Sequence, residues 1–196
     1  MLVGLCSSYI DGLPEGLASF PDCLGRRDVF VGALDETPSS FVDARLREAV
    51  AALPADEVWI PEVVCAAIVS AHADSLGDEQ AYLSSSLSRN LELFRRPLFR
   101  GLMFVLSPTL VLMGAARRWG AFHRGSTLEV QRWERETAGN GVRLRLTHAP
   151  GLFLPLHHRG FGEAFRAAVL STRQEQVDVG CTSHDDGATY SVEYGR

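Results

Sequence analysis

Lysine is absent from this chain, and all 19 of its basic residues are arginines. A phosphate-binding loop of the Gly-Lys-Ser/Thr type needs that lysine, so this class of nucleotide site is excluded. Acidic residues outnumber basic ones, 24 against 19, and the formal net charge is −5. A protein that binds duplex nucleic acid usually carries a basic face. The composition therefore predicts no nucleic-acid partner.

Cysteine is scarce and widely spaced. Cys6, Cys23, Cys65 and Cys181 form no Cys-x-x-Cys pair and match no zinc-ligand spacing. With 46% hydrophobic residues among 196, the chain can build a core without disulfide bonds. We therefore expect reduced thiols, no bound metal and a cytoplasmic location.

Long apolar runs are also missing. The most apolar stretch, residues 98–116, is interrupted by Arg100 and Pro108, so its pieces are shorter than the roughly 20 residues that span a bilayer. Unlike a signal peptide, the segment before Cys6 has neither a basic start nor a long apolar run. The sequence predicts no membrane span and no leader.

Apolar residues recur at helical spacing through the middle of the chain, with Ser39 or Ser40 and Asp78 as candidate N-caps. The helices predicted from this spacing cover residues 41–53, 61–73, 78–95, 97–106 and 108–122. Residues 1–40 are rich in glycine and proline and are interpreted as an irregular arm with a short strand over 28–34. We predict a single domain, 1–196, in which a helical half (41–123) follows the arm and precedes a sheet half (124–196).

The hydrophobic period changes to two in the sheet half. Val142, Leu144 and Leu146 alternate with polar residues, which indicates a strand with one buried and one wet face. Strands are predicted over 127–136 and 141–148, and over 174–183 and 188–194, with a helix at 155–171 between the two hairpins. The predicted fold class is α+β, with the N-terminal helices packed on one face of a four-stranded antiparallel sheet in the order hairpin–helix–hairpin.

The sequence contains no recognisable catalytic centre, and we expect no enzymatic activity. Gly160-Phe161-Gly162 resembles part of a dinucleotide-binding loop, but Phe165 stands where a third small residue is needed, and no strand runs directly into it. A Gly-x-Ser-x-Gly motif is absent. The carboxylate pairs fall in turns or on exposed strand faces, and none is predicted to be buried. No catalytic residues are assigned.

Histidines are the main candidates for a metal site. His157 and His158 are adjacent, so their side chains diverge, whereas His148 meets one of them only if the intervening loop folds back. Zinc needs three or four converging ligands. We interpret these three as surface or loop residues, and His72 and His123 as helix-end residues. No metal or cofactor is predicted.

Aromatic residues concentrate between the third predicted helix and the first hairpin. An aromatic-lined pocket between helices and sheet suits an apolar small molecule, while a solid core is the other interpretation of the same residues. Trp133 breaks the alternation of its strand, which predicts a bulge or an exposed ring. The residues predicted to bind a ligand are Phe99, Met103, Trp119, Phe122 and Trp133.

Several short motifs resemble those of a myxobacterial family of domains of unknown function. They are Trp59-Ile60-Pro61, Leu76-Gly77-Asp78, Phe99-Arg100-Gly101-Leu102, Ser107-Pro108, the hairpin over 128–146, Pro150, Val177-Asp178-Val179, Asp186-Gly187 and Tyr190-Ser191-Val192. That family, restricted to Myxococcales, is similar in architecture to 4-vinyl-reductase-type domains, to heme-nitric-oxide-binding domains and to trafficking-complex subunits. The motifs are structural and carry no catalytic residue.

The resemblance implies a sensor or a scaffold. Its heme branch requires a Tyr-x-Ser-x-Arg signature, and here the segment from Tyr82 through Ser84 ends in Ser86 where arginine is needed. The favoured hypothesis is a non-catalytic sensory or regulatory domain that binds a small apolar ligand between its helices and sheet. The alternative is a protein-interaction subunit without a ligand that forms a homodimer through a helical face.

Overall fold

Proline and polar caps determine where the helices of this protein begin. The computed structural model describes residues 9–12, 18–54, 57–97, 101, 103, 105–131 and 140–195. Within these residues the longer helices are α1 (Arg27–Asp35), α2 (Ala44–Ala51), α3 (Glu62–Leu76), α4 (Glu79–Arg95), α5 (Pro108–Arg118) and α6 (Pro155–Leu170). Half of the residues of the predicted helix over 97–106 lie outside the described residues.

Three N-caps illustrate how local sequence sets these boundaries. Asp78 accepts a hydrogen bond from the backbone N–H of Ala81, as predicted, and Ser107 caps the helix whose first residue is Pro108. The helix predicted over 41–53 is α2, and it begins later than predicted because Asp43, and not Ser39 or Ser40, supplies the capping oxygen. A side-chain oxygen at this position satisfies a backbone N–H that has no partner within the helix.

The prediction of a strand over residues 28–34 is wrong. These residues form most of α1, and a three-residue strand, β1 (Leu24–Arg26), precedes it directly. Ala33 is buried, and Phe30 and Leu34 pack against the same core, which is the spacing of one helical face. A short apolar run does not by itself distinguish a strand from a helix, and tertiary packing selects the helix here.

The main sheet contains β4 (Thr127–Gln131), β5 (Asn140–Thr147), β6 (Gln176–His184) and β7 (Gly187–Gly195) in the order β4-β5-β7-β6. All of its pairings are antiparallel, and α6 connects the two hairpins. The predicted α+β architecture of helices on a four-stranded antiparallel sheet is therefore confirmed. The tip of the first hairpin, with Trp133, lies outside the described residues.

A second, small sheet was not predicted. It joins β1 to β2 (Trp59–Pro61) on one side and to β3 (His123–Arg124) on the other, both antiparallel. Its strands come from the arm, from the residues before α3 and from the residues after α5. Because each strand has at most three residues, no alternating pattern was long enough to indicate it.

Buried apolar side chains divide into two main cores. The helix-side core lies among α1, α2 and α3 and includes Leu46, Ile60, Ile68 and Leu152. The sheet-side core lies between the sheet and the helices α5 and α6 and includes Leu112, Leu144, Phe165 and Tyr190. Phe161 of α6 packs against both cores, so α6 is the element that joins them.

Across the described ranges, no helix combines the length and the apolar character needed to cross a bilayer.

Candidate functional site

The histidines near the start of α6 are buried, contrary to their interpretation as surface or loop residues. His158 is fully buried, and His157 and His148 are 3% and 5% exposed. The adjacent rings of His157 and His158 diverge as expected, one toward α3 and the other toward the sheet. The loop between β5 and α6 folds back, so that His148 meets His158.

His157 joins α6 to α3. Its Nδ1 accepts a hydrogen bond from the backbone N–H of Leu154 at 3.0 Å. That leaves Nε2 as the protonated nitrogen, which donates to the carbonyl of Ala66 at 3.1 Å beside the Ser70 hydroxyl. Both ring nitrogens of His157 are therefore occupied by protein groups, and the ring is neutral.

His148 and His158 belong to a directed chain of hydrogen bonds. The carbonyl of Ala149 can only accept, so Nδ1 of His148 is the donor at 2.8 Å, and its Nε2 carries a lone pair. Nε2–H of His158 then donates to that lone pair at 2.8 Å. The remaining lone pair, on Nδ1 of His158, accepts from the Ser183 hydroxyl at 3.0 Å. Both rings are satisfied as neutral imidazoles.

Burial sets the protonation state of these three rings. Desolvation lowers the pKa of His157 to about 3 and that of His158 to about 4, and it also lowers the pKa of His148. For His157 and His158, the neighbouring imidazoles disfavour the charged form further. The three imidazoles are uncharged at neutral pH. In acid, protonating them while they stay buried costs free energy, so the folded state loses stability.

A second buried polar site lies at the small sheet. His123 of β3 is within 3.1 and 3.2 Å of the two carboxylate oxygens of Glu62, the first residue of α3. Glu62 is 1% exposed and His123 is 5% exposed. The expectation that no carboxylate is buried is therefore wrong. A hydrogen-bonded imidazole is the kind of partner that a buried carboxylate requires.

Aromatic rings and a glycine enclose the His123–Glu62 pair. Trp119 stacks on His123 with ring centroids 4.2 Å apart, and Phe161 meets the same ring edge-on at 5.5 Å. On the other side, a Cβ at Gly25 would lie 2.6 Å from Sγ of Cys65 and 3.0 Å from Oε2 of Glu62. Only glycine lets β1 approach the carboxylate this closely.

Ring contacts connect the two sites. Phe161 lies edge-on to Phe153 at 5.3 Å, and Phe153 lies edge-on to His148 at 5.0 Å. Trp119, at the other end, lies edge-on to Phe161 at 5.4 Å. This line of rings, from Trp119 through Phe161 and Phe153 to His148, we call the ring line. It follows the boundary between the helix-side and sheet-side cores.

Three of the residues predicted to bind a ligand lie among the described residues, and they occupy different surroundings. Met103 is buried with Val111 of α5 and Ala168 of α6, whereas Trp119 belongs to the sheet-side core. Phe122 is 41% exposed, with the Arg26 guanidinium over its ring. Phe99 and Trp133 lie outside the described residues.

The alternation of inward and outward residues along a strand is a signal that could have located the hydrogen-bond chain through His148, His158 and Ser183. His148 continues the inward parity of Val142, Leu144 and Leu146, and Ser183 continues that of Val177. In the sheet register, Leu146 and Ser183 both lie opposite Ala188, so the two inward positions meet at one end of the sheet. Parity therefore assigns His148 and Ser183 to the face that α6 covers.

The glycines resembling a dinucleotide loop lie within α6, away from its first turn. Gly160 faces Tyr82 of α4, whose hydroxyl occupies the space that a Cβ would need. Gly162 lies over Tyr190 and Val179 of the sheet. These glycines serve close packing of α6 and leave no strand-to-helix turn for a phosphate.

Within the described ranges, no group of three or more His, Cys, Asp or Glu side chains is arranged to hold a metal ion.

Comparison with known proteins shows a similarity of fold. No protein-family model matches the chain, and no curated protein matches it. Among solved structures, a Cs H-NOX mutant with 4-cyano-L-phenylalanine at site 5 is similar, with a TM-score of 0.51 and 12% identity. The similarity covers 85% of this chain and 95% of that chain. The chain shares the H-NOX fold at this level, in line with the architectural resemblance to heme-nitric-oxide-binding domains.

The residues that correspond to the heme signature do not fit heme. Tyr82 is buried against Ala73 and Leu156, with its hydroxyl over Gly160, and Ser84 is exposed. Ser86, in the place of the arginine, donates to the carbonyl of Gly160 at 3.4 Å. This segment packs α4 against α6 and supplies no cation for a propionate, so we derive no chemistry through heme.

Proposed function

We propose that this chain is a non-catalytic sensory or regulatory domain that binds a small apolar molecule between its helices and its sheet. The observation that carries the proposal is the ring line, which places polarizable and titratable rings along the boundary between two cores. A ligand that displaced one ring would alter contacts in both cores, because Phe161 packs against each of them. The H-NOX-like fold supports a sensory role by analogy alone.

The ligand would enter beside α5. This helix contributes Val111 to the cluster that contains Met103, and its next residue, Leu112, to the core that contains Trp119. An apolar molecule that separates α5 from α6 would therefore contact both predicted ligand-binding residues. Phe122, three residues after Trp119 and partly exposed, would line the entrance.

We further propose that the protein is cytoplasmic and forms one domain. Cys23, Cys65 and Cys181 are free thiols, a state that suits a reducing compartment. The two cores share Phe161, which favours cooperative folding of the helical and sheet halves.

Native mass spectrometry of the purified protein, followed by tryptophan fluorescence with indole, dodecanoic acid and heme as probes, tests the ligand proposal. We expect a bound molecule or a saturable quench by an apolar probe, and loss of that quench in Trp119→Phe. Trp59→Phe is the matched control, because Trp59 lies in the small sheet under the Arg124 guanidinium, and its variant should keep the response. No copurified molecule and no saturable response to any probe would refute the proposal. So would an unchanged quench in Trp119→Phe.

A further inference from the structure

The strand β6 forms one edge of the main sheet. Among the described strands it pairs only with β7. It has nine residues in continuous register, without proline, lysine or a bulge. Natural sheets usually protect an edge with one of those features, because an exposed edge presents unpaired N–H and C=O groups to other chains.

The inner side of this edge is incompletely covered. Val179, Cys181 and Ser183 point toward the helices but are only partly buried. Tyr190 and Val192, their neighbours on β7, are fully buried. The helices therefore leave a strip of the sheet-side core accessible along β6.

We propose that β6 pairs antiparallel with β6 of a second copy of this chain, so that two four-stranded sheets join into one across a twofold axis. Such an interface is isologous, as in most homodimers. The proposal differs from the dimer through a helical face that the sequence suggested, and it goes beyond the proposed ligand function.

The backbone of β6 is suited to this pairing about Cys181. The two-residue turn after His184 makes His184 and Gly187 a hydrogen-bonded pair of the hairpin. Because such pairs alternate along an antiparallel ladder, Cys181 directs its N–H and C=O away from β7. A twofold axis at Cys181 then makes the two copies of this residue a hydrogen-bonded pair.

The side chains on the exposed face fit the same register. Asp178 lies opposite Glu193 of β7 on the exposed face, a like-charge pair that is unfavourable within one copy. With the axis at Cys181, Asp178 lies opposite His184 of the second copy, and the reverse pair forms on the other side of the axis. Near His184, Asp186 is already paired with Arg145. The interface thus places a carboxylate opposite an imidazole, which can donate a hydrogen bond to it, on both sides of the axis.

Light scattering on a size-exclusion column, over a range of protein concentrations, tests for the dimer. Amide hydrogen exchange should show concentration-dependent protection of residues 176–184. Thr182→Lys adds a charge at the exposed face of the edge and should weaken the dimer at least about tenfold. Thr127→Lys is the matched control, because Thr127 is exposed on β4 at the opposite edge, and it should leave the dimer unchanged.

A short bismaleimide provides an independent measurement of the register. The two Cys181 residues would have Cα atoms roughly 5.5 Å apart, so the reagent should link them, and Cys181→Ser should abolish the product. A monomer at every concentration would overturn the proposal. A dimer that resists Thr182→Lys, or one whose crosslink survives Cys181→Ser, would overturn it as well.

Discussion

The two buried histidine sites differ in what faces the imidazole. His123 lies against the carboxylate of Glu62, whereas the rings of the His148–His158 pair form hydrogen bonds with a carbonyl, a hydroxyl and each other. The first site therefore depends on one carboxylate, and the second depends on a chain of hydrogen bonds between neutral groups.

Removal of the carboxylate should have the largest effect on stability. Glu62→Ala leaves His123 buried without its partner, and we expect the free energy of unfolding to fall by about 3–5 kcal/mol. Glu62→Gln keeps an acceptor and should lose less. Urea denaturation at pH 7 measures both variants, with Glu48→Ala on the exposed side of α2 as the control. Equal stabilities of Glu62→Ala and the control would contradict the role of the pair.

Acid should affect the His148–His158 pair next. The pKa of His158 is about 4 in the folded protein against 6.5 as its ordinary value, so the unfolded chain binds more protons between these pH values. Its stabilising contribution is complete above pH 6.5 and declines as the pH falls. By pH 4 the loss from His158 alone is about 3 kcal/mol.

Urea midpoints at pH 7, 6, 5 and 4 measure this decline. His158→Gln should be less stable than the native protein at pH 7 but should lose less stability on acidification. The exposed Glu48 gives a control far from the histidines, and Glu48→Gln should keep the native profile. An identical slope in His158→Gln would show that other groups control the acid response.

Loss of the Ser183 hydroxyl, at the end of the hydrogen-bond chain, should have the smallest effect on stability. Ser183→Ala removes the donor to Nδ1 of His158, and we expect a loss of about 1 kcal/mol at pH 7. In acid the hydroxyl can reverse and accept from a protonated His158, so the loss should increase toward pH 4. Chemical denaturation at both pH values measures this. Ser191→Ala on β7 is the control, and a pH-independent loss in Ser183→Ala would exclude hydroxyl reversal.

Sequence reasoning predicted the sheet half better than the arm. Alternation through Val142, Leu144 and Leu146 located β5, and the aspartate and glycine residues after His184 located the turn between β6 and β7, because these patterns depend on neighbouring residues only. The prediction for the arm was wrong, because the apolar run that includes Val29 and Phe30 fits a strand or a helix equally well. The ligand-binding set remains a prediction, with Met103 and Trp119 in different clusters of buried residues and two members outside the described residues.

The amino-acid sequence by itself determined the helix caps, the strand parity and the α+β class, because hydrogen bonding and side-chain direction repeat over a few residues. Tertiary structure alone decided that His148 meets His158 and that Glu62 is buried beside His123. Those contacts join residues 10 and 61 positions apart in the chain. Whether an imidazole is solvated or buried depends on which helix covers its strand, and that choice is made by the packing of both cores together.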